Sequence, residues 1–488
     1  MKTAILILLY IFLTNFVCYS QTFNNLDFEQ TCDTSKTGFC SWNLSWGSKD
    51  GKIRGESGAN KFLLLTGAKE NSVNFVEQTA FLNQNQGLNV IELSGKIFSE
   101  NLIGKGAGLN ITLYDSLGNF IKAKDMGYGN FSWVHGTNES KKYRISLVSP
   151  DNTYKVNIGC IIYGKGNAGF DNLEVKINSL EGREPSPLAI EYVSAACDTI
   201  AKYSVMKDSV DFVKLKQTAL QIAGDAKNYS ECHLAIEYML SSLGEHHSFF
   251  MKPDEVTNWQ NDKSESSTVK FPSSKILNDC GYIFVPPFHA GNEELIKQYS
   301  DSLQLILKEL DNSNIKGWII DLRENTGGNM QPMILGLGPI FDSEKLGSLN
   351  YINEDSQSWY YKNGSYLWDD EKISEVVNPV KLKSKLPIAV LIGPQTGSSG
   401  EIVAISFIGN GKTKFFGEPT WGLTTGNSSF DLPDGGRMML ASTFMADRNG
   451  NVYYDKIHPD EMIPASKDKN NDAVLLRAAE WIQESISN

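Results

Sequence analysis

Three short segments carry residue types that together could perform acyl transfer. The first, Asp321-Leu-Arg-Glu-Asn-Thr-Gly-Gly-Asn, sets a glycine pair just after an apolar run. Glycine lets the backbone aim its N–H groups into a site, where they can hold a developing negative charge. A purely structural turn is the competing reading. The second, Gly393-Pro-Gln-Thr-Gly-Ser-Ser-Gly-Glu-Ile-Val-Ala, puts serines between an apolar strand and a helical run. A hydroxyl there is exposed, and the helix dipole favours negative charge beside it. Ser398 equally fits a plain N-cap, with Glu401 completing a capping box. The third, Leu243-Gly-Glu-His-His-Ser-Phe-Phe, holds two of the six histidines (135, 233, 246, 247, 289 and 458). Adjacent imidazoles after a helix either supply a base for neutral pH or form a surface or capping feature. No Cys-x-x-Cys or His-x-x-x-His spacing occurs, so no metal site and no cofactor are expected.

These segments can meet only if strand ends converge. Beyond residue 280 the pattern is α/β. Gly281-Tyr-Ile-Phe-Val-Pro, Gly317-Trp-Ile-Ile-Asp-Leu, Leu386-Pro-Ile-Ala-Val-Leu-Ile-Gly and Lys414-Phe-Phe-Gly read as strands, with helices at 292–310 and 398–409. Such alternation predicts a largely parallel sheet with functional loops at its C-terminal edge. From 190 to 245 apolar residues fall on helical stripes, among them Tyr192, Val193, Ala196 and Ile200, predicting three packed helices. From 22 to 178 short alternating runs separated by Gly, Asn, Asp and Ser predict an all-β sandwich. Asn25-Leu-Asp-Phe-Glu and Ala168-Gly-Phe-Asp-Asn-Leu-Glu-Val resemble the first and last strands of jelly-roll, carbohydrate-binding-like modules. That resemblance implies glycan contact through Trp42, Trp46 or Trp133 as stacking platforms; the alternative places them in the core. The expected organisation is a signal at 1–20, a β-sandwich at 21–178, a Gly/Pro linker at 179–189, a helical subdomain at 190–250 and an α/β core at 251–488.

The N-terminus, MKTAILILLYIFLTNFVCYS, has one Lys, a short apolar run and small residues Cys18 and Ser20 placed for cleavage before Gln21. It reads as a secretory signal, too short for a comfortable membrane span. Acylation of Cys18 is the lipoprotein alternative. The mature chain is expected to lack a transmembrane anchor and to be secreted, periplasmic or at the cell surface, where disulfides can form. Of the six remaining cysteines, Cys32 with Cys40 and Cys197 with Cys232 are candidate pairs among fifteen connectivities. Lys and Arg number 45 against 57 Asp and Glu, a net charge of −12. A phosphate backbone would be repelled, so nucleic acid is not an expected partner.

Taken together, the residues from about 190 to 465 resemble the tail-specific, or C-terminal processing, serine peptidases, with tricorn-like and interphotoreceptor-retinoid-binding-protein-like relatives. The resemblance rests on the three-helix region, the Leu-Gly-x-x-His-Ser segment, Asp-Leu-Arg-x-Asn-x-Gly-Gly, Ser-x-x-Glu, Gly417-Glu-Pro-Thr-Trp-Gly and Ile457-His-Pro-Asp, in family order. It implies a serine endopeptidase with a protein or peptide substrate. Ser398 becomes the nucleophile, Gly327 or Gly328 with the Ser399 amide the oxyanion hole, and Arg323, Asn325, Glu401 and Thr420 residues that shape the site. Leu423 stands where the bacterial branch has its general-base lysine, so a Ser–Lys dyad at that place is excluded. The tricorn-like pattern implies His247 as base, with Asp455 as its carboxylate and Asp460 as a loop former. A histidine base with an ordinary pKa would lose activity below about pH 6.5. Only 33 residues separate His247 from Gly281, too few for a PDZ domain of about 80. A non-catalytic ligand- or peptide-binding protein on the same scaffold is the alternative.

Overall fold

The computed structural model describes residues 23–47, 52–56, 61–82, 87–126, 133–260, 269–352, 354–466 and 472–487. The segment 1–20, read as a signal, and the Trp46 side chain lie outside the described residues. Among those described, no helix is long and apolar enough to cross a membrane. The chain divides into two compact units, 1–184 and 185–488.

The first unit is β-rich. Its strands are β1 (Asn43–Gly47), β2 (Lys52–Glu56), β3 (Phe62–Gly67), β4 (Val73–Phe81), β5 (Asn89–Tyr114), β6 (Phe120–Asp125), β7 (Val134–Ser149) and β8 (Lys155–Ser179). β5 and β8 pair antiparallel from Asn89↔Ser179 to Tyr114↔Lys155. β4 and β3 extend the ladder beside β8, and β7 and β6 beside β5. All eight strands therefore belong to one hydrogen-bonded network. Its long strands change course at Gly104, Gly106, Gly164 and Gly166, all at positive φ. A Cβ on Gly164 would stand 2.1 Å from the Ile103 carbonyl oxygen, so only glycine fits that crossing. Leu93, Ile97, Leu109 and Ile111 of β5 share one core with Ile158, Cys160 and Phe170 of β8.

The described tryptophans take the core alternative and not the stacking one, and one of the two suggested cysteine pairs, which lies in the second unit, is not made. Trp42 is 1% exposed, packs against Phe28 and donates from Nε1 to the Asn25 carbonyl at 3.0 Å. Trp133 is 8% exposed and meets Tyr163 edge-on. Neither offers a face on which a sugar could stack, because burial of the indole has gone to the core. Cys32 and Cys40 form a disulfide. Cys197 and Cys232 are each buried and free, so that suggested pair is not made.

The second unit opens with α1 (Pro187–Tyr203), α2 (Phe212–Ala223) and α3 (His233–Ser241), the last entered through a 3-10 turn at Tyr229–Cys232. Ser186 caps α1 by accepting from the Ala189 amide, and Asp211 caps α2 through the Lys214 amide. β9 (Phe249–Met251), α4 (Pro253–Gln260), β10 (Ser273–Leu277), β11 (Cys280–Phe284), α5 (Glu293–Asn312), β12 (Gly317–Asp321) and α6 (Gln331–Leu337) follow. Next come β13 (Lys345–Tyr351), β14 (Gln357–Lys362), β15 (Ser365–Trp368), β16 (Glu371–Glu375), β17 (Ile388–Ile392), α7 (Ser399–Phe407) and β18 (Thr413–Gly417). The chain finishes with β19 (Thr425–Asp431), β20 (Arg437–Asp447), β21 (Val452–Tyr453), β22 (Glu461–Met462) and α8 (Ala473–Ser487).

One sheet has the order β10-β11-β12-β17-β18-β22, with every neighbour from β11 onward parallel. β12 and β17 are buried throughout. Ile320, Val390 and Ile392 pack in a core with α5 and α7, while Ile319, Ala389 and Leu391 meet Val474, Ala478 and Ile482 of α8. Cover on both faces explains their unbroken apolar runs. A second sheet, β16-β15-β14-β13-β20-β19, is antiparallel and gains β9 and β21 beside β20. The α/β reading of 251–488 did not anticipate it, because apart from the long, largely buried β20 its strands are short or half-exposed and carry no apolar run.

Candidate active site

β12 and β17 run side by side and parallel, with Asp321 opposite Leu391, so the loops that follow them leave one edge together. The β12 loop is pinned at its root. Arg323 forms two hydrogen bonds to the Asp321 carboxylate and two to Asp472, and Asp472 caps α8 through the Leu475 amide. Farther along, Asn325 is fully buried. Its Nδ2 donates to the Val285 carbonyl, its Oδ1 accepts from the Gly327 amide, and its carbonyl accepts from the Gly397 amide. One side chain thus ties the glycine turn, and its backbone ties the serine loop. Gly327 and Gly328 lie at φ 106° and 99°. A Cβ on Gly327 would stand 2.9 Å from Ser398 Cβ.

Ser398 sits where β17's loop enters α7, at φ 51° and ψ −120°. A non-glycine residue rarely adopts this backbone, and such outliers gather where geometry serves a site. Its amide donates to Glu401 Oε2 at 2.9 Å, and the Glu401 amide donates to the Ser398 carbonyl at 2.8 Å. The hydroxyl points elsewhere: Ser398 Oγ lies 3.0 Å from His247 Nε2. Beside it, Ser399 Oγ donates to the Gly328 carbonyl at 2.5 Å, drawing the glycine turn to the first turn of α7. The Ser399 and Gly328 amides donate to no acceptor among the described residues.

His247 is carried by the turn after α3. Glu245 accepts from the His247 and Ser248 amides, and Asn427 Nδ2 donates to the His247 carbonyl at 2.9 Å. Nδ1 faces Thr425 Oγ1 at 2.8 Å. His247 is half-buried. The surrounding protein nevertheless pushes its pKa down to about 4, burial outweighing the ring's hydrogen bond to the Thr425 backbone.

Glu401 is completely buried. Besides Ser398, it accepts from Thr420 Oγ1 at 2.5 Å and from the Gly422 amide at 3.0 Å. Burial raises its pKa to about 7, against the hydrogen bonds from Thr420, Gly422, Ser398 and Leu423. It therefore links the serine turn to the 420–423 loop.

The structure thus draws together Ser398, Ser399, His247, Asn325, Gly327, Gly328, Glu401 and Thr420. Arg323 stands one step back, bracing the loop root. Asp455 is a correction: its carbonyl accepts from Thr424 Oγ1, its carboxylate lies over Gly422, and the Nδ1 of His247 is met by Thr425. Asp460 accepts from the Phe415 amide at 2.7 Å. Gly327 has committed its amide to Asn325, which leaves Gly328 as the glycine donor beside Ser399. Sequence reading missed Thr425 and Asn427, which lie about 180 residues from His247 along the chain and belong to no motif. It also missed His289, whose Nδ1 would lie 2.9 Å from a Cβ on Gly328.

The pattern of Peptidase family S41 matches residues 279–463, a span that includes Ser398, Glu401 and the glycine pair. A nisin-resistance protein of Lactococcus lactis subsp. lactis is 30% identical over 302 residues, 62% of this chain and 89% of the relative. The chain belongs to peptidase family S41. This is a family of serine peptidases that includes enzymes of the C-terminal processing kind. The S41 chain is also 23% identical over 198 residues to the chloroplastic carboxyl-terminal-processing peptidase 2 of Arabidopsis thaliana, spanning 40% of this chain and 33% of that relative. A lipoprotein from Streptococcus agalactiae has a solved structure similar to it, with TM-score 0.50 and 25% identity over 61% of this S41 chain and 97% of the other.

Proposed function

We propose that this chain is a secreted serine endopeptidase that hydrolyses peptide bonds through an acyl-enzyme, using Ser398 and His247. The 3.0 Å approach of His247 Nε2 to Ser398 Oγ carries the reading. It lies within the hydrogen-bond reach a general base requires. Neutral His247, its Nδ1 proton directed to Thr425, takes the Ser398 proton as Oγ attacks the peptide carbonyl. The imidazolium then returns that proton to the leaving amine. Water repeats the sequence to release the acyl group. The Ser399 and Gly328 amides serve the oxyanion, each such donor contributing about 2.7–4 kcal/mol in comparable sites. Asn325 and Glu401 hold the two turns that present these groups. The Cys32–Cys40 disulfide supports an oxidising compartment.

A binding protein without turnover is the second reading. It is favoured because Thr425, and no carboxylate among the described residues, meets His247 Nδ1, and by a relative named for resistance and not for proteolysis. Labelling with a fluorophosphonate separates the two. The peptidase reading expects labelling that vanishes in Ser398→Ala and survives in Ser399→Ala. Absence of labelling in the native chain contradicts it and leaves binding.

A further inference from the structure

Resting on the peptidase reading, we infer that Trp421, Tyr454 and Asp455 form a subsite for a basic side chain of the substrate peptide. Large aromatic side chains of this unit stand well into solvent at three described positions, Phe271, Trp421 and Tyr454. Trp421 packs beside the loop that carries Ser398, and Tyr454 packs on the strand pair that holds His247. The Trp421 amide donates to the Thr396 carbonyl at 2.8 Å, two residues before Ser398. Trp421 Cβ would lie 3.5 Å from a Cβ on Gly397. Its indole is nonetheless 51% exposed, so it walls the approach to Ser398 without filling a core. Tyr454, 71% exposed, stacks edge-on against Phe444 at 4.8 Å. Phe444 is the strand partner of Thr425, the residue that holds His247.

Asp455 directly follows Tyr454, and its carboxylate reaches Gly422, the residue after Trp421. Two strands of loop run together here: the Thr420 amide donates to Ile457, the Ile457 amide donates to Thr420 Oγ1, and Thr424 Oγ1 donates to Asp455. The Asp455 carboxylate is exposed and covers Gly422, with Oδ1 2.7 Å from where a Cβ would stand. No ion pair engages it among the described residues. Lys456 lies beside it; its stem packs on the same glycine, Cγ at 3.1 Å from that point, and no ion pair to Asp455 forms among the described residues. Glu401 beneath is fully engaged by its own donors.

An aromatic face next to a free carboxylate fits a lysine or arginine side chain, whose stem lies on the ring and whose head meets the charge. Overall charge agrees. Residues 185–488 hold 27 Lys and Arg against 40 Asp and Glu, while 1–184 hold 18 against 17. The catalytic unit therefore carries the whole negative excess, which draws cationic peptides toward it. The carboxylate that failed to reach His247 thus acquires a use at the rim.

The test uses the full chain and internally quenched peptides that differ only by Lys, Leu or Glu at one position, scanned across the cleavage site. At one position Lys is expected to exceed Glu in kcat/KM by about tenfold, the scale of one exposed ion pair plus one cation–π contact. Asp455→Asn should reduce that ratio to about twofold, Asp455→Lys should invert it, and Trp421→Ala should weaken it. Cleavage with no position that discriminates, a preference for Glu in the native chain, or an unchanged Lys preference in Asp455→Lys overturns the subsite while leaving the peptidase intact. No cleavage of any peptide together with no fluorophosphonate adduct on Ser398 removes the peptidase reading, and the subsite with it.

Discussion

Thr425 Oγ1 stands 2.8 Å from His247 Nδ1, in the position that a carboxylate occupies in a Ser-His-Asp triad. A hydroxyl can accept a hydrogen bond from Nδ1–H and so favour the tautomer that leaves Nε2 free for Ser398. It cannot stabilise the imidazolium by charge. On the peptidase reading the site is a dyad oriented by a neutral third residue.

Replacing that hydroxyl should cost orientation only. Thr425→Val is expected to lower kcat/KM by about ten- to a hundredfold, the scale of a misplaced catalytic group, with KM little changed. Thr425→Ser should recover most of the loss. Steady-state kinetics on a cleaved peptide reads both.

The pH–rate profile should show two acid limbs. His247 must be neutral to accept a proton, and burial places its pKa at about 4. The steep loss therefore comes near pH 4, below the 6.5 expected of an ordinary imidazole. Glu401, at about 7, gives a shallower step above it. Protonation removes one of its acceptor sites, so the Gly422 or Ser398 amide loses its partner. Glu401→Gln should abolish the upper step, lower the plateau and keep the lower limb.

The same two groups should oppose each other in stability. His247 has a folded pKa below its unfolded value near 6.5. Between pH 4 and 6.5 the unfolded state binds more protons, so this contribution rises with pH. Glu401 has a folded pKa above its unfolded value near 4.3. From there to about 7 the folded state holds the extra proton, and its contribution falls as pH rises. From pH 4.5 to 7 the urea midpoint should rise in Glu401→Gln, which keeps the His247 contribution, and fall in His247→Gln, which keeps that of Glu401. Parallel behaviour of both variants would contradict these assignments.

Gly328→Ala tests the oxyanion turn. A Cβ there would meet the Phe288 carbonyl oxygen at 2.1 Å, at φ 99°. The peptide must move, taking its amide from the site. Activity should fall by about a hundredfold or more, with a lower melting temperature. Gly291→Ala, where a Cβ meets nothing within 4 Å, is the control expected to change neither.

Much of this site could be read from the sequence because its parts are local. Ser398 with Glu401, and Asn325 with its glycines, are fixed by turn chemistry that spans a few residues. The strands β12 and β17 announced themselves as continuous apolar runs because both faces are covered. Thr425 left no trace: an ordinary threonine in a half-exposed strand becomes a site residue only when β19 is laid beside the turn after α3. Most of the second sheet was hidden for a related reason, since short hairpin strands with one wet face resemble loops in composition, and they flank the one long buried strand, β20. Asp455 misled because spacing along the chain gives no direction to a side chain, and its carboxylate turns over Gly422. Trp42 and Trp133 look the same in sequence whether buried or exposed; only the closed β-rich core decides.

The most direct test of the central claim is the rate of fluorophosphonate inactivation in the native chain and in His247→Gln, with the adduct located by mass spectrometry. The account predicts an adduct on Ser398 and an inactivation rate that falls by about a thousandfold or more without the imidazole. An adduct on another residue, or a rate on Ser398 indifferent to His247, would contradict it.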